Sequence, residues 1–153
     1  MSGLALKVPP VLLVFVVAGL MWFAKTIWPE LNFKFPGRTL LSVGVTLIGA
    51  AVIVSAYVSF QRVGTTVNPM KPESSSALVR SGIYAWSRNP MYVGFLLILI
   101  AWALLLSNAT AFVFLPGFLL YMNRFQIEPE ERALFSTFGQ HFTAYAARVR
   151  RWI

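Results

Sequence analysis

Four apolar runs, parted by polar segments, dominate the chain. They extend from about Val8 to Ile27, Thr39 to Phe60, Pro90 to Leu106 and Ala109 to Asn123. Runs of this length predict helices that cross a bilayer. Pro9 and Pro10 suit the first turn of the first helix, and Trp22 and Trp28 suit the far membrane interface. In the second helix Gly44, Gly49, Ser55 and Ser59 permit close packing on a neighbouring helix. Only Ser107-Asn108 divides the third run from the fourth, so these two form a tight helical hairpin. Pro116-Gly117 predicts a kink in its second arm. Each arm holds about 16 residues, or about 24 Å at 1.5 Å per residue. That is short of the ~30 Å hydrocarbon layer, so the polar segments flanking the hairpin are expected to sit slightly within the membrane.

The longest polar stretch, Gln61 to Asn89, contains Pro69, Pro72 and Ser74-Ser75-Ser76. A connection of this length in a small protein is expected to be functional or disordered. After the fourth run, an amphipathic cytoplasmic helix is predicted from Pro129 to Val149. Leu134, Phe138, Phe142, Tyr145 and Val149 give it one apolar stripe, and Gly139 breaks or bends it. Pro129 fits its first position, and Glu130 and Glu131 complement its dipole. The stripe either lies on the membrane or caps a site. The expected fold is therefore all-α: about four transmembrane helices, including the short hairpin, plus this C-terminal helix.

Composition sharpens the class. The chain has 153 residues, 58% hydrophobic and 12% charged, against about 25% charged in soluble domains. It reads as one integral membrane domain, with scaffold in residues 1–75 and the functional hairpin and C-terminal helix in 76–153. The N-terminus lacks a small-residue cleavage site, so the first helix is expected to be retained. There is no Cys, which excludes disulfides and thiol catalysis. One His and no Asp make a metal site unexpected, and His141 reads as a solvated residue. The net charge of +8 comes from basic residues flanking the apolar runs. They suit anionic headgroups of the lipid bilayer rather than nucleic acid. Lys7, Arg62, Lys71, Arg80, Arg88, Arg124, Arg132, Arg148, Arg150 and Arg151 fall on one side. Lys25, Lys34 and Arg38 fall on the other. This bias predicts a multi-pass protein with both termini cytoplasmic.

The hairpin has a chemical consequence, because it returns the chain to the face it left. The segment Gly82-Ile83-Tyr84-Ala85-Trp86-Ser87-Arg88-Asn89-Pro90-Met91-Tyr92-Val93-Gly94 must then emerge beside Arg124-Phe125-Gln126-Ile127-Glu128-Pro129-Glu130-Glu131. The second segment holds three of the five carboxylates. Pro90 pushes Asn89 toward extended backbone, which suits Asn89 to cap the third helix. Tyr84 and Trp86 could serve only as interfacial aromatics, Arg88 only as a snorkelling cation, and the glutamates only as helix-start charges. Together they also suit a ligand carrying ribose hydroxyls, an amine and a carboxylate.

The first segment resembles the Gly-x-Tyr-x-x-x-Arg-His-Pro-x-Tyr-x-Gly motif of isoprenylcysteine carboxyl methyltransferases. Glu130-Glu131-x-x-Leu134, Phe138-Gly139, Tyr145 and Arg148-Val149 resemble the C-terminal motif of that family. Related phospholipid N-methyltransferases share the Arg-His-Pro and Glu-Glu elements. The resemblance implies an S-adenosylmethionine-dependent methyltransferase, with S-adenosylhomocysteine as product and a lipophilic or prenylated carboxylate as acceptor. It implies cofactor contacts at Ser76, Ala77, Leu78, Val79, Tyr84, Asn89, Pro90, Met91, Tyr92 and Glu130. Arg88, Arg124 and Glu131 are the candidate catalytic residues, and Arg88, Arg124 and Gln126 the candidate acceptor-binding residues. Asn89 stands where eukaryotic members carry His. Gln126 stands where they carry a substrate-binding Arg, which Arg124 could replace. A carboxylate acceptor needs no base because it is ionised at neutral pH; an amine acceptor would need one, with Glu131 or Tyr92 nearest. The competing readings are a phospholipid N-methyltransferase and a non-enzymatic membrane scaffold. A channel is disfavoured, because no helix interior carries a charge.

Overall fold

The computed structural model describes residues 6–65, 70 and 75–153. Pro69, Lys71, Pro72 and Ser74 of the long polar connection lie outside the described residues. Within them the helices are α1, Pro10–Ile27; α2, Arg38–Val63; α3, Pro90–Leu106; α4, Ala109–Tyr121; α5, Glu128–Phe138; and α6, Gln140–Arg148. Tight 3-10 turns occupy Pro29–Leu31 and Gly82–Ala85, and a π-helical segment, Met122–Ile127, joins α4 to α5. The described residues contain no β-strand, in keeping with the all-helical expectation.

α1 and α2 are each long and apolar enough to cross a membrane. The 17-residue α3 is shorter. The bundle turns apolar side chains outward on several helices: Phe15 is 70% exposed, Leu40 80% and Val113 73%. Surface of this kind is satisfied by hydrocarbon rather than by water.

α2 packs on α3 along small residues. Its buried positions are Ser42, Gly49, Ala56 and Ser59. At the crossing, main chain meets main chain. A Cβ on Gly94 would lie 2.5 Å from Ile53 Cγ1 and 2.8 Å from the Gly49 carbonyl oxygen. Of the small residues expected to pack closely, Gly49 meets Gly94 of α3 and Ser59 lies against Gly82 in the turn before it, whereas Gly44 and Ser55 face outward. α1 packs on α3 and α4, and Trp102 Nε1 donates to the Ala18 carbonyl at 3.0 Å. Met21, Leu99, Phe118, Met122 and Ile127 are buried in the shared core.

The two ends of the bundle are closed differently. At one end fully buried Asn108 caps α4, accepting from Thr110 N–H at 2.9 Å. Its amide donates to the Trp28 carbonyl at 2.8 Å and to Asn32 Oδ1 at 3.0 Å. At the other end lie Leu6, the Gly82–Ala85 turn, the start of α3 and the start of α5.

The second arm of the hairpin departs from expectation. The chain does not stop near Asn123 and restart at Pro129; it stays helical from α4, through Pro116, across the π segment and into α5. Pro129 has no N–H, and in a regular helix its ring would crowd the carbonyl four residues back. That carbonyl belongs to Phe125, and it accepts the backbone N–H of Leu6 at 3.0 Å. The wider π turn and the N-terminal segment together accommodate a proline that reads as a helix start in sequence.

Gly139, at φ +50°, ends α5 and starts α6. Phe142, Tyr145 and Val149 bury against Leu134, Phe138 and Leu78. The apolar stripe is thus folded onto the chain itself, in two helices rather than one.

Candidate active site

The two polar segments meet. Tyr92, on the first turn of α3, donates its O–H to Glu130 Oε1 on α5 at 2.7 Å. Gln126 Nε2 donates to the same oxygen at 3.1 Å. Arg88 Nη2, just before α3, pairs with Glu131 Oε1 at 3.0 Å. Gln126 and Tyr92 are buried, at 2% and 5% exposure. Short direct bonds therefore join the two segments, Tyr92 and Glu130 being 38 positions apart.

Each side chain is fixed from its own element. Pro90 occupies the first turn of α3, as expected, but the Asn89 side chain does not cap that helix. Its Nδ2 donates to the Arg151 carbonyl at 2.9 Å instead, while its backbone carbonyl accepts the N–H groups of Tyr92 and Val93. Pro90 removes one orphan donor, the Asn89 carbonyl takes that of Tyr92, and Ser87 Oγ takes the Asn89 N–H at 3.1 Å. Tyr84 is buried in the 3-10 turn, edge-on to Phe60, and its carbonyl accepts the Tyr145 O–H at 2.7 Å. Ser76 and Ala77 turn their backbone N–H groups to Thr65 Oγ1. Leu78 packs on the α6 cluster. Val79 is buried with Ala56 and Tyr84, and Met91 packs beside them.

Glu130 and Glu131 are neighbours with different surroundings. Burial raises Glu130 to about 7; the hydrogen bonds from Tyr92 and Gln126 oppose this, and the Glu131 charge adds to it. Among the described residues, both hydrogen bonds to Glu130 fall on Oε1, which leaves Oε2 for a ligand. Glu131 is held by two guanidinium groups. Besides Arg88, Arg151 reaches it through Nε at 3.3 Å and Nη2 at 2.6 Å. Both Glu131 oxygens are thus engaged by guanidinium groups. Arg88 retains one unused group: its Nε is buried without a partner among the described residues. Burial also raises the Tyr84 hydroxyl well above its ordinary range and Tyr145 to about 12, the latter eased by Arg88.

Arg124 is not brought into this cluster. Its side chain is 68% exposed and pairs with Glu128 at 3.2 Å on the outer face. His141 is exposed on α6. Among the described residues no His, Cys, Asp and Glu group could hold a metal. Sequence reasoning missed Arg151, Trp152 and Asn123. Trp152 Nε1 donates to Asn123 Oδ1 at 3.0 Å. No local signal could have found these three, because each acts through a partner distant along the chain. Beside Glu131, between α5 and α6, opens a cleft of about 600 Å³ whose apolar wall includes Phe135 and Phe142.

Comparison with known proteins gives concordant results. A family model described as phospholipid methyltransferase matches residues 38–141. Protein-S-isoprenylcysteine O-methyltransferase of Saccharomyces cerevisiae is 35% identical over 134 residues, covering 77% of this chain and 54% of that protein. The human protein of the same name is 32% identical over 129 residues, covering 80% and 43%. An uncharacterized protein of Haemophilus influenzae is 46% identical over 63 residues, covering 41% of this chain and all of the relative. The chain thus spans about half the length of the methyltransferases it matches.

Proposed function

We propose that this chain, which belongs to the phospholipid methyltransferase family, is a multi-pass membrane methyltransferase. It uses S-adenosylmethionine and acts on the carboxylate of a lipophilic or prenylated acceptor at the cytoplasmic face. The observation that carries this reading is the direct joining of the two motifs through Tyr92–Glu130 and Arg88–Glu131.

The residues fit such a cofactor. Oε2 of Glu130 is an acceptor suited to ribose hydroxyls or an ammonium group. The Asn89–Tyr92 turn and Tyr84 form the adjoining wall, with Ser76, Ala77, Leu78 and Val79 on the approach. When bound, S-adenosylmethionine supplies an electrophilic methyl group on a sulfonium. The chain's own task is then to position and to exclude water. Arg88 offers its unpartnered Nε to the acceptor carboxylate, and buried Gln126 keeps Glu130 aimed. Holding the two reactants in near-attack geometry contributes several kcal/mol. A carboxylate arrives ionised, so no side chain need take a proton.

A second reading, an amine acceptor on a phospholipid, is favoured by one observation. Glu130 lies near 7 and is bonded to Tyr92, so it could accept a proton at neutral pH. A panel of carboxylate and amine lipids with labelled methyl donor separates the two readings. The cofactor assignment is tested by calorimetry in detergent. Glu130→Ala should lose S-adenosylhomocysteine affinity by about 100-fold, the size expected for a buried charged hydrogen-bond partner. Unchanged affinity in a folded variant removes Glu130 from the site.

A further inference from the structure

We propose that residues 149–153 form a strap that holds the two motifs at a fixed spacing, with Arg151 as its positioning residue. The inference depends on the methyltransferase reading only for its effect on ligand affinity.

α6 ends at Arg148, and Val149 is extended at φ −116°, ψ 130°. The chain then runs back across the candidate site and bonds at each step. The Arg150 carbonyl accepts the Arg88 N–H at 2.9 Å. The Arg151 carbonyl accepts Asn89 Nδ2 at 2.9 Å. The Arg151 guanidinium forks onto both oxygens of Glu131. Trp152 bonds to Asn123 in the π segment, and its ring packs on the main core. Within three residues the strap touches the turn before α3, α5, and the helix between α4 and α5. Those elements carry both motifs.

The fork matters because a planar guanidinium fixes direction as well as distance, which an ammonium does not. It also matters for charge. Glu131 faces Arg88 from the turn before α3 and Arg151 from the strap, with Glu130 and Arg132 beside it on α5. Glu130 in turn faces Tyr92 from α3, Tyr84 from the 3-10 turn and Gln126 from the π segment, and Tyr145 lies near Arg88. Without Arg151 the Glu131 charge is only half compensated and opposes ionisation of Glu130 more strongly.

The chain has no Cys, so two labels can be placed cleanly. Trp86→Cys and Phe135→Cys lie at exposed positions, 82% and 54%, on the two sides joined by the strap. Spin-label distance distributions by electron paramagnetic resonance are compared for the parent, Arg151→Gln, Arg151→Lys and a chain ending at Arg150. The expected result is a narrow distribution in the parent, clear broadening in Arg151→Gln and the truncation, and an intermediate width in Arg151→Lys. Broadening supports the strap; an unchanged distribution in Arg151→Gln overturns it, whatever happens to the ligand. In parallel, calorimetry of Arg151→Gln should show at least tenfold weaker S-adenosylhomocysteine binding and a pH midpoint moved upward. If the parent itself binds none of this ligand, the methyltransferase reading falls, while the distance measurement still decides the strap.

Discussion

The two ends of the bundle use polar residues in opposite ways. At the Asn108 end the amide meets two carbonyl-type oxygens and an N–H, and the Pro29–Leu31 turn folds over them. Most described contacts there are neutral and short; Arg38 Nη1 adds a longer one to Ser107 Oγ at 3.4 Å, and the buried Ser42 Oγ one turn into α2 has no described partner. At the motif end, ion pairs and tyrosines converge, one carboxylate is raised to about 7, and one buried guanidinium nitrogen has no described partner. Both ends must satisfy backbone groups at the mouth of an apolar bundle. Only the motif end sets an unpartnered charged donor beside a carboxylate raised to about 7, and that is the property expected of a site rather than of a seal.

The comparison can be broken most severely at Glu131. Glu131→Ala leaves Arg88 and Arg151 facing each other without their shared counter-ion, and apparent stability should fall by about 3 kcal/mol or more. Thermal unfolding in detergent reads this. Asn108→Ala should cost about 2–3 kcal/mol through orphaned buried partners. Its ligand affinity, measured on the folded fraction, should stay at the parent value. A loss of affinity there would mean that the ends do not work independently.

Acidity sharpens the contrast further. Glu130 is raised from 4.5 to about 7, so the folded protein holds a proton there that the unfolded chain has released. Stability of the empty protein therefore declines as pH rises from about 4.5 through 7. Ligand binding to the ionised form changes in the opposite sense. S-adenosylhomocysteine affinity should fall about tenfold per pH unit below 7, or about 1.4 kcal/mol. Calorimetry at several pH values checks it, and Glu130→Gln should flatten the profile. The smallest effect is expected from Tyr145→Phe, which removes the hydroxyl bonded to the Tyr84 carbonyl. A loss of about 1 kcal/mol in unfolding experiments is the expected size.

Helices α1 to α3 could be read from hydropathy and from their punctuation at Pro10, Pro90 and Ser107-Asn108. The meeting of the motifs could be read as well, since a hairpin has to return. Pro129 does fall in the first turn of α5, as its place before acidic residues suggests, but the helical path continues upstream of it through the π segment, and the Phe125 carbonyl there is bonded to Leu6, far away in sequence. Arg124 and Arg151 were indistinguishable as charges flanking apolar segments. Their different surroundings, outer surface and Glu131, depend on helix direction and on the path of the last residues. Asn89 carried a correct positional expectation but an incorrect partner, because the competing Arg151 carbonyl is visible only in three dimensions.

The Gly49–Gly94 crossing also bears on the path open to the proposed lipophilic acceptor. With one backbone pressed against another about half a turn from Tyr92, there is no slot at that crossing wide enough for an alkyl chain. That flank is a wall, so any door for a hydrocarbon tail has to open on another side of the bundle.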